Sequence, residues 1–467
     1  MSKIIGQIKR RLQYYLYFFS KFFLKDKMIL KVDKIIKIKD SDLKLKELEL
    51  LYNKNLRHPY LLSNLARFKI SHSSFKGFEL LKNYEEIRIK WLKKNKSVNY
   101  NINEIFIPIQ SVIGALGNTY SLYYYLINRI HVLKNKFKPT LLIKETEKLS
   151  NSELIKYFLP LLNLRNNNKE YYNKQFISKI NKAPIESVLQ YKNTYYPPGI
   201  AINFINQFLK NKKILEETTF KINSDTKDVC YKKLQKFGLN EKDWFVVLHV
   251  RENKNDHDIL RNSDPFTYID AIKFIISKGG KVVRVGNKHM TKLPPIQGLI
   301  DYPFTDLKSE LMDVFLAAEC KFCLGTSSGY YSLPTFFGKP VLLVNYLNTL
   351  EFFALKEGDL FLPKNLMYKD SNKLVDIKDT FGLEIGNYMT LKAYEKNNIL
   401  VINNTSSEIL ESTKEMIDIL FNIQNKKLEV SNKIFKEEID KKYENLFDHK
   451  VSTLAKVSNI FLKNFYK

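Results

Sequence analysis

Apolar runs of strand length alternate with helical patterns between Trp244 and Asn345, and this alternation limits the possible folds more than any other feature. Each run has the length and composition of a buried strand, and the segments between the runs have helical periodicity. The runs are Trp244–Val250, Lys281–Asn287, Cys320–Gly325 and Pro340–Tyr346. Strands that alternate with helices form parallel sheets, because each connection crosses back over the sheet before the next strand begins. The sequence therefore predicts an α/β fold with a parallel sheet.

A second region of the same kind begins near Asn103. A strand pattern at Ile105–Pro108 leads into a turn of small residues at Ser111–Asn118, an aromatic helix and a strand pattern at Thr140–Thr146. The turn lacks the full G-x-G-x-x-G pattern and so does not predict a dinucleotide site. Such a turn either contacts an acceptor substrate or only permits close packing of the helix. The sequence leaves both interpretations open.

The chain has 467 residues, which is long enough for more than one hydrophobic core. A polar connector after Gly238 separates the two α/β regions. We expect four parts, which are a basic helical region at 1–95, a Rossmann-like domain at 96–238, a second Rossmann-like domain at 239–425 and a Lys-rich helical tail at 426–467.

The N-terminal segment combines aromatic and basic side chains. Its aromatic run, Leu12–Phe19, is too short to cross a bilayer, and Lys21, Lys25 and Lys27 interrupt its continuation. It also lacks the small-residue site at which a signal peptide is cleaved. The pattern fits a helix in the interface of an anionic membrane, or a helix packed on a protein surface. We expect a cytoplasmic protein, peripheral on the inner face of the plasma membrane.

The net charge of +27 favours anionic partners, although only ten of the 76 basic residues are arginine. Lysine is abundant along the whole chain, which is typical of compositional drift as much as of selection for a polyanion. The sequence contains no nucleic-acid-binding module, so we expect no nucleic acid partner. Three cysteines do not predict a disulfide framework. Cys320 and Cys323 lie within a strand pattern without a second ligand pair, so we interpret them as core thiols rather than a metal site.

Arginines gather after the first of the four strand patterns. Arg251 follows that strand directly, Arg261 and Asn262 lie further along the same loop, and Arg284 lies in the next strand pattern. Ligands of parallel α/β sheets bind outside the carboxyl ends of the strands. A guanidinium group binds a diphosphate through paired donors. The sequence therefore predicts that Arg251 binds phosphate, and the alternative is a salt bridge to a carboxylate such as Asp264.

Two further features stand at strand ends. Thr326, Ser327 and Ser328 follow the third strand pattern and supply hydroxyls, while Gly329 would let a phosphate approach a helix start closely. The alternative is an ordinary capped turn. His249 ends the first strand pattern, and it is either a general base or a core histidine whose hydrogen bond holds the loop.

Several short motifs carry a resemblance as a set. They are L-H-V-R-E at Leu248–Glu252, R-N-S-D from Arg261, Y-x-x-A-I at Tyr268–Ile272, the run Gly279–Met290, I-D-Y at Ile300–Tyr302, the run Leu307–Leu316, and C-L-G-T-S-S-G with F-G-K-P-V. Over about residues 240–350 the chain resembles a family of bacterial GT-B glycosyltransferases found with surface-polysaccharide genes. It is more distantly similar to fucosyltransferase-like GT-B enzymes, in which an H-x-R motif places an arginine on the donor diphosphate.

The resemblance implies a GT-B-like fold, with two Rossmann-like domains facing a cleft and helical extensions at both ends. In such a fold the domain at 96–238 would bind the acceptor, and the domain at 239–425 would bind the nucleotide-sugar donor. It implies sugar transfer from a nucleotide-diphosphate donor to a cell-surface glycan (lipopolysaccharide, O-antigen or capsule) or a lipid-linked glycan. Neither an essential metal nor a cofactor is expected. Arg251 and the Thr326–Gly329 turn would stabilise the departing diphosphate. The loop after Arg251 has no simple match to the fucosyltransferase pattern, so fucose is not predicted.

The remaining site residues are candidates for the general base and for nucleotide or sugar contacts. Candidates for the base or catalytic group are His249, Asp256, His257, Asp258, Asp264, Glu104 and His131, beside Arg251 as the catalytic cation. Candidates for nucleotide or sugar contacts are Arg261, Asn262, Arg284, Asp301 and Tyr302. Two other functions remain open, which are a transferase of another phosphate-activated group, such as a polyol phosphate, and a non-catalytic scaffold that binds polysaccharide or a partner.

Overall fold

The computed structural model describes residues 27–54, 58–71, 76–81, 84–94, 105–143, 147–165, 188–192, 194–210, 212–253, 256–347, 349–388, 390–423 and 426–466. The segment for which a membrane contact is predicted lies almost entirely outside these ranges. Within them, no helix is long and apolar enough to span a bilayer.

The secondary structure is mixed throughout the chain. The helices are α1 Lys27–Ile35, α2 Ser41–Lys54, α3 Pro59–Ser71, α4 Lys76–Leu81, α5 Tyr84–Lys94, α6 Asn118–Ile127, α7 Ser152–Phe158, α8 Pro198–Phe208, α9 Lys212–Thr218, α10 Ser224–Leu234, α11 Ile269–Ser277, α12 Glu310–Glu319, α13 Ser332–Phe336, α14 Ile377–Thr380, α15 Leu391–Lys396, α16 Ser406–Leu420, α17 Lys426–Tyr443 and α18 Asn459–Leu462. The strands are β1 Phe106–Ile107, β2 Thr140–Leu142, β3 Asn163–Arg165, β4 Leu189–Tyr191, β5 Thr194–Tyr196, β6 Phe245–His249, β7 Lys281–Arg284, β8 Leu299–Asp301, β9 Phe322–Gly325, β10 Val341–Tyr346, β11 Leu360–Pro363, β12 Asn365–Tyr368, β13 Ile399–Ile402 and β14 Lys456–Val457.

The chain divides into two compact units that are each assembled from several segments. Unit 1 comprises Met1–Ile109, Asn135–Glu147 and Leu161–Tyr196, and unit 2 comprises Gln110–Lys134, Lys148–Pro160 and Pro197–Lys467. This division differs from the boundaries expected near residues 95, 238 and 425. The physical reason is that chain order does not decide which segments pack together, and the tail contributes a strand to the sheet of unit 2.

Unit 1 combines a small parallel sheet, ordered β1–β2–β3, with the antiparallel hairpin β4–β5 and the helices α1 to α5. Its core includes Leu62 and Ala66 of α3, packed with Tyr84 and Tyr195. Glu85 on α5 accepts hydrogen bonds from Arg88 and from the hydroxyl of Tyr195. The hairpin and the helices therefore share one apolar core and one polar contact.

Seven described strands of unit 2 form a parallel sheet in the order β14–β11–β10–β9–β6–β7–β8. The four strand patterns of the sequence correspond to β6, β7, β9 and β10, which are adjacent in this sheet and mostly buried. On one side α11 contacts β7, and α16 contacts β10 and β11. Strands buried in this way are apolar along their length. The predicted α/β class with a central parallel sheet is confirmed.

The tail, expected to be helical, also contains a strand. After α17 the chain forms β14, which pairs in parallel with β11, and then the short helix α18. The buried carboxylate of Glu415 on α16 accepts the hydroxyl of Ser458 over 2.6 Å and the amide of Asn459 over 3.1 Å. A strand of two residues has no periodicity of its own, so only its pairing with β11 defines it.

Candidate functional site

The polar segments that follow β6 and β9 meet at one edge of the sheet of unit 2. These strands are parallel neighbours, with His249 in register with Gly325. The amide of Arg251 donates to Oγ1 of Thr326 over 3.1 Å, and the amide of Thr326 donates to the main-chain oxygen of His249 over 3.2 Å. We call His249, Arg251 and the turn Thr326–Gly329 the strand-end site. The chain thus brings together an arginine and a Gly/Ser turn where parallel sheets bind ligands.

The hydroxyls of the turn are buried and bonded within the protein. Thr326 is 1% exposed, Ser327 8% and Ser328 5%. Ser327 accepts the amide of Leu347 over 3.1 Å and lies 3.3 Å from its main-chain oxygen. The hydroxyls therefore hold the turn against its neighbours. The helix that follows, α13, is short and is preceded by a 3₁₀ turn at Gly329–Tyr331.

His249 is held on two sides. Its Nδ1 lies 2.9 Å from the hydroxyl oxygen of Ser328, and its ring stacks on Tyr330 with centroids 5.2 Å apart. The same hydroxyl oxygen accepts the amide of Tyr330 over 3.3 Å. Within the described part of the chain, the only bonded acceptor for the hydroxyl proton of Ser328 is Nδ1. On that ground we assign the imidazole proton to Nε2.

The charge of His249 follows from its surroundings. Burial, followed by the positive charges of Arg251 and Arg284, lowers the pKa of His249 to about 4. The imidazole is therefore neutral at neutral pH, and Nε2–H is a hydrogen-bond donor. A group with so low a pKa is a weak base, which favours a donor role over general-base catalysis. Of these two cations, Arg284 is paired with Glu252 and Asp301, so the positive charge that suits an anionic ligand is that of Arg251.

Asn262 closes the loop that follows Arg251. Its side-chain amide donates to the main-chain oxygen of Asn253 over 2.6 Å, while its Oδ1 accepts the amide of Asn253 over 3.0 Å. The amide of Ser263 donates to the main-chain oxygen of Arg251 over 3.1 Å. The side chain of Asn262 is thus hydrogen-bonded to the main chain of the same loop. Arg261 is the residue directly before it.

Arg284 is fully buried in a closed ionic network. Its guanidinium donates to Glu252 over 2.6 Å, to Asp301 over 3.1 Å and to the main-chain oxygen of Thr291 over 2.7 Å. Glu252 also accepts the amide of Thr291 over 3.0 Å, and Asp301 accepts that of Leu293 over 3.0 Å. This network ties the segment between β7 and β8 to the end of β6. Arg284 and Asp301, both candidates for nucleotide or sugar contacts, therefore bind one another.

Tyr302 is also engaged inside the protein. It is fully buried, and its hydroxyl accepts the amide of Ser309 over 3.0 Å and donates to the main-chain oxygen of Ser309 over 3.1 Å. Nearby, Lys308 binds the carboxylate of Asp313, whose pKa is raised by burial against the effect of that lysine. The hydroxyl of Tyr302 therefore holds the start of α12.

Of the other candidate bases, the structure describes the contacts of Asp264 and His131. Asp264 is exposed and caps a 3₁₀ helix by accepting the amide of Phe266 over 2.9 Å. His131 lies 3.9 Å from Glu217, and burial lowers the pKa of His131 against the opposing effect of that carboxylate. Glu104 and the side chains of Asp256, His257 and Asp258 lie outside the described residues.

The small-residue turn before α6 touches the strand-end site. A Cβ atom added to Gly329 would lie 2.4 Å from the amide nitrogen of Gly117 and 2.7 Å from its Cα. A Cβ atom on Gly117 would lie 2.9 Å from Cα of Gly329. Two main chains approach this closely only where both residues are glycine. The sequence left the role of this turn open, and the structure shows close packing against the Thr326–Gly329 turn.

The cysteines are core thiols, as predicted. Cys230, Cys320 and Cys323 are buried and free, and burial raises the pKa of Cys320 to about 12. Among the residues that the structure describes, no group of three or more His, Cys, Asp or Glu side chains is arranged to hold a metal ion.

No protein-family model and no curated protein sequence matches the chain. Among solved structures it is similar to ADP-heptose lipopolysaccharide heptosyltransferase II of E. coli, with 13% identity over 51% of this chain and 84% of that one, at a TM-score of 0.33. It is similar to a family 9 glycosyltransferase of Veillonella parvula, with 10% identity over 68% and 97% of the two chains, at a TM-score of 0.39. An E. coli heptosyltransferase with ADP has 8% identity over 51% and 86%, at a TM-score of 0.27. Similarities at these TM-scores do not show what this chain does.

Proposed function

We propose that the chain is a glycosyltransferase that binds the diphosphate of a nucleotide-sugar donor at the strand-end site. The observation that carries this proposal is the contact between Arg251 and the Thr326–Gly329 turn. The main-chain amide of Arg251 donates to Oγ1 of Thr326 over 3.1 Å. This bond joins the main chain of Arg251 to a tight turn at the edge where parallel sheets bind ligands. The guanidinium charge of Arg251 acts on the neighbouring His249 and lowers the pKa of that histidine. A guanidinium group offers two parallel donors to phosphate oxygens, which a lysine does not.

The chemistry of sugar transfer fits these groups. The bond between the anomeric carbon and the β-phosphate oxygen breaks, and negative charge develops on the departing diphosphate. Arg251 would stabilise that charge, and Nε2–H of His249 would donate to another oxygen. The hydroxyl of the acceptor attacks the anomeric carbon and releases its proton to a base of the chain. From the sequence resemblance, the acceptor is a cell-surface or lipid-linked glycan, and the GT-B-like architecture belongs to the same proposal.

The proposal is tested by thermal unfolding with ADP, UDP, GDP, CDP and TDP. A ligand present at 100 times its Kd stabilises the folded state by about 2.7 kcal/mol. We expect one of these nucleotides to raise the melting temperature of the wild type and of the control Arg67→Ala, which alters an exposed arginine of unit 1. The same nucleotide should not stabilise Arg251→Ala, because the cation for the diphosphate is missing.

A chain that none of the five nucleotides stabilises is not a nucleotide-sugar transferase, and the scaffold alternative would then be preferred. If a nucleotide binds, incubation with the matching nucleotide sugars and a glycan acceptor should release the free nucleotide. Repeating that incubation with EDTA tests the expected independence from metal ions. Release that requires a polyol-phosphate donor instead of a sugar donor would select the polyol-phosphate alternative.

A further inference from the structure

Lys364 is a buried lysine between β11 and β12 for which the proposed chemistry has no direct role. Its side chain is 3% exposed. Its Nζ donates to the main-chain oxygen of Leu260 over 2.6 Å, to that of Asn262 over 3.2 Å and to Oδ1 of Asn403 over 2.7 Å. An ammonium group has three N–H donors, so every donor of Lys364 has an acceptor. All three acceptors are neutral.

A buried ammonium without a carboxylate partner is stabilised only by the dipoles around it. Burial lowers the pKa of Lys364 to about 8, and no ionisable neighbour contributes to this shift. Among the side chains that the structure describes on the elements around it, the charged groups are Arg261 in the clamped turn and Glu408 of α16, which accepts a bond from Asn365. Lys364 is therefore charged at neutral pH and loses its proton in the mildly alkaline range.

The two clamped carbonyls flank Arg261 in the sequence. The charge of Arg261 acts on Glu351, where it opposes the increase in pKa that burial causes, and it also acts on Tyr331. Tyr331 ends the 3₁₀ turn that begins at Gly329 in the strand-end site. The clamped turn is joined to the strand-end site by the amide of Ser263, which donates to the main-chain oxygen of Arg251 over 3.1 Å. Arg261 is thus a second cation on the loop that begins at Arg251, and Lys364 binds the carbonyl groups of both its neighbours.

We infer that Lys364 is a positioning residue that clamps the turn Leu260–Asn262 and so holds Arg261 beside the strand-end site for an anionic ligand. The part of this inference that concerns the ligand rests on the proposed function, whereas the clamp does not. Deprotonation removes one of the three donors. The clamp and the affinity for a diphosphate should therefore both weaken as the pH rises through about 8.

The clamp is tested without any ligand, by hydrogen–deuterium exchange of peptides that cover residues 256–263. The variants are Lys364→Met, which keeps the apolar stem, and the matched control Lys369→Met, which alters an exposed lysine after β12. Loss of charge-assisted bonds should make exchange in this segment about tenfold faster in Lys364→Met only. Unchanged exchange in a folded Lys364→Met overturns the clamp.

The ligand part is tested by the dissociation constant of whichever of ADP, UDP, GDP, CDP and TDP binds the wild type. We expect Lys364→Met to bind it about tenfold more weakly at pH 7. The wild type should lose affinity between pH 7 and 9, while the variant should show no such dependence. Equal affinity and equal pH profiles overturn the positioning role. If exchange increases but no nucleotide binds the wild type, the clamp stands and the proposed function fails. The wild-type pH profile needs no variant and so remains decisive if Lys364→Met does not fold.

Discussion

The hydroxyl oxygen of Ser328 lies 2.9 Å from Nδ1 of His249, and this contact determines which ring nitrogen of the histidine carries the proton. Since the oxygen of Ser328 also accepts the amide of Tyr330, its own proton is directed to Nδ1. With a pKa of about 4, His249 is a neutral donor through Nε2. Of the two alternatives that the sequence left open, a histidine that holds its loop by a hydrogen bond is favoured over a general base.

The tautomer of His249 can be measured by ¹⁵N NMR. Between pH 5 and 8 the wild type should show a neutral ring protonated at Nε2, because its pKa of about 4 lies below this range. Ser328→Ala should give a mixture of tautomers, since Nδ1 loses its donor. Ser277→Ala, at the exposed last residue of α11, should leave the spectrum unchanged. A ring protonated at Nδ1 in the wild type would contradict the assignment.

The same histidine should make stability depend on pH. Its pKa in the folded state is lower than the unfolded value of about 6.5, so the unfolded state binds the proton more readily. The contribution of His249 to the free energy of unfolding should therefore be fully present above pH 6.5. It should be lost as the pH falls towards 4, and this loss is at most about 3 kcal/mol. Urea unfolding at several pH values should show a smaller decrease for His249→Gln than for the wild type. The same decrease in the free energy of unfolding for both proteins would contradict this prediction.

Arg284→Met should destabilise unit 2 strongly. The substitution leaves the carboxylates of Glu252 and Asp301 without their shared cation, a change that typically costs about 3–5 kcal/mol. Urea unfolding measures the loss. Adding Glu252→Gln and Asp301→Asn removes the unpaired charges and should recover part of the stability. If the single variant is as stable as the wild type, the network does not hold the segment between β7 and β8.

Gly329→Ala should disturb the strand-end site through main-chain displacement. The new Cβ would lie 2.4 Å from the amide nitrogen of Gly117, so one of the two turns must move. Overpacking of this kind typically costs about 1–3 kcal/mol, which thermal unfolding detects. Ala115→Ser, at an exposed position of the small-residue turn, is the control and should be neutral. A Gly329→Ala variant with wild-type stability would show that the two turns separate easily.

The sequence by itself determined the fold class and the edge of the sheet at which the candidate site lies. Long apolar runs predict strands buried on both faces, and helical patterns between them require parallel order. Parallel order then places the residues after β6 and β9 at the same edge, which located Arg251 and the Thr326–Gly329 turn. The strands β8, β11 and β14 were missed. β8 has three residues and β14 has two, and runs this short carry no periodicity.

Only the tertiary structure decided what each polar side chain does. Ser328 and His249 are 79 positions apart, and Lys364 and Leu260 are 104 positions apart. The same applies to Arg284, which the sequence grouped with the ligand-binding arginines and the fold pairs with Glu252 and Asp301. Apolar periodicity is a local property of the chain and can be recognised without knowing the neighbours. A hydrogen bond or an ion pair depends on distances between residues far apart in sequence, which are set when the sheet and its connections pack together.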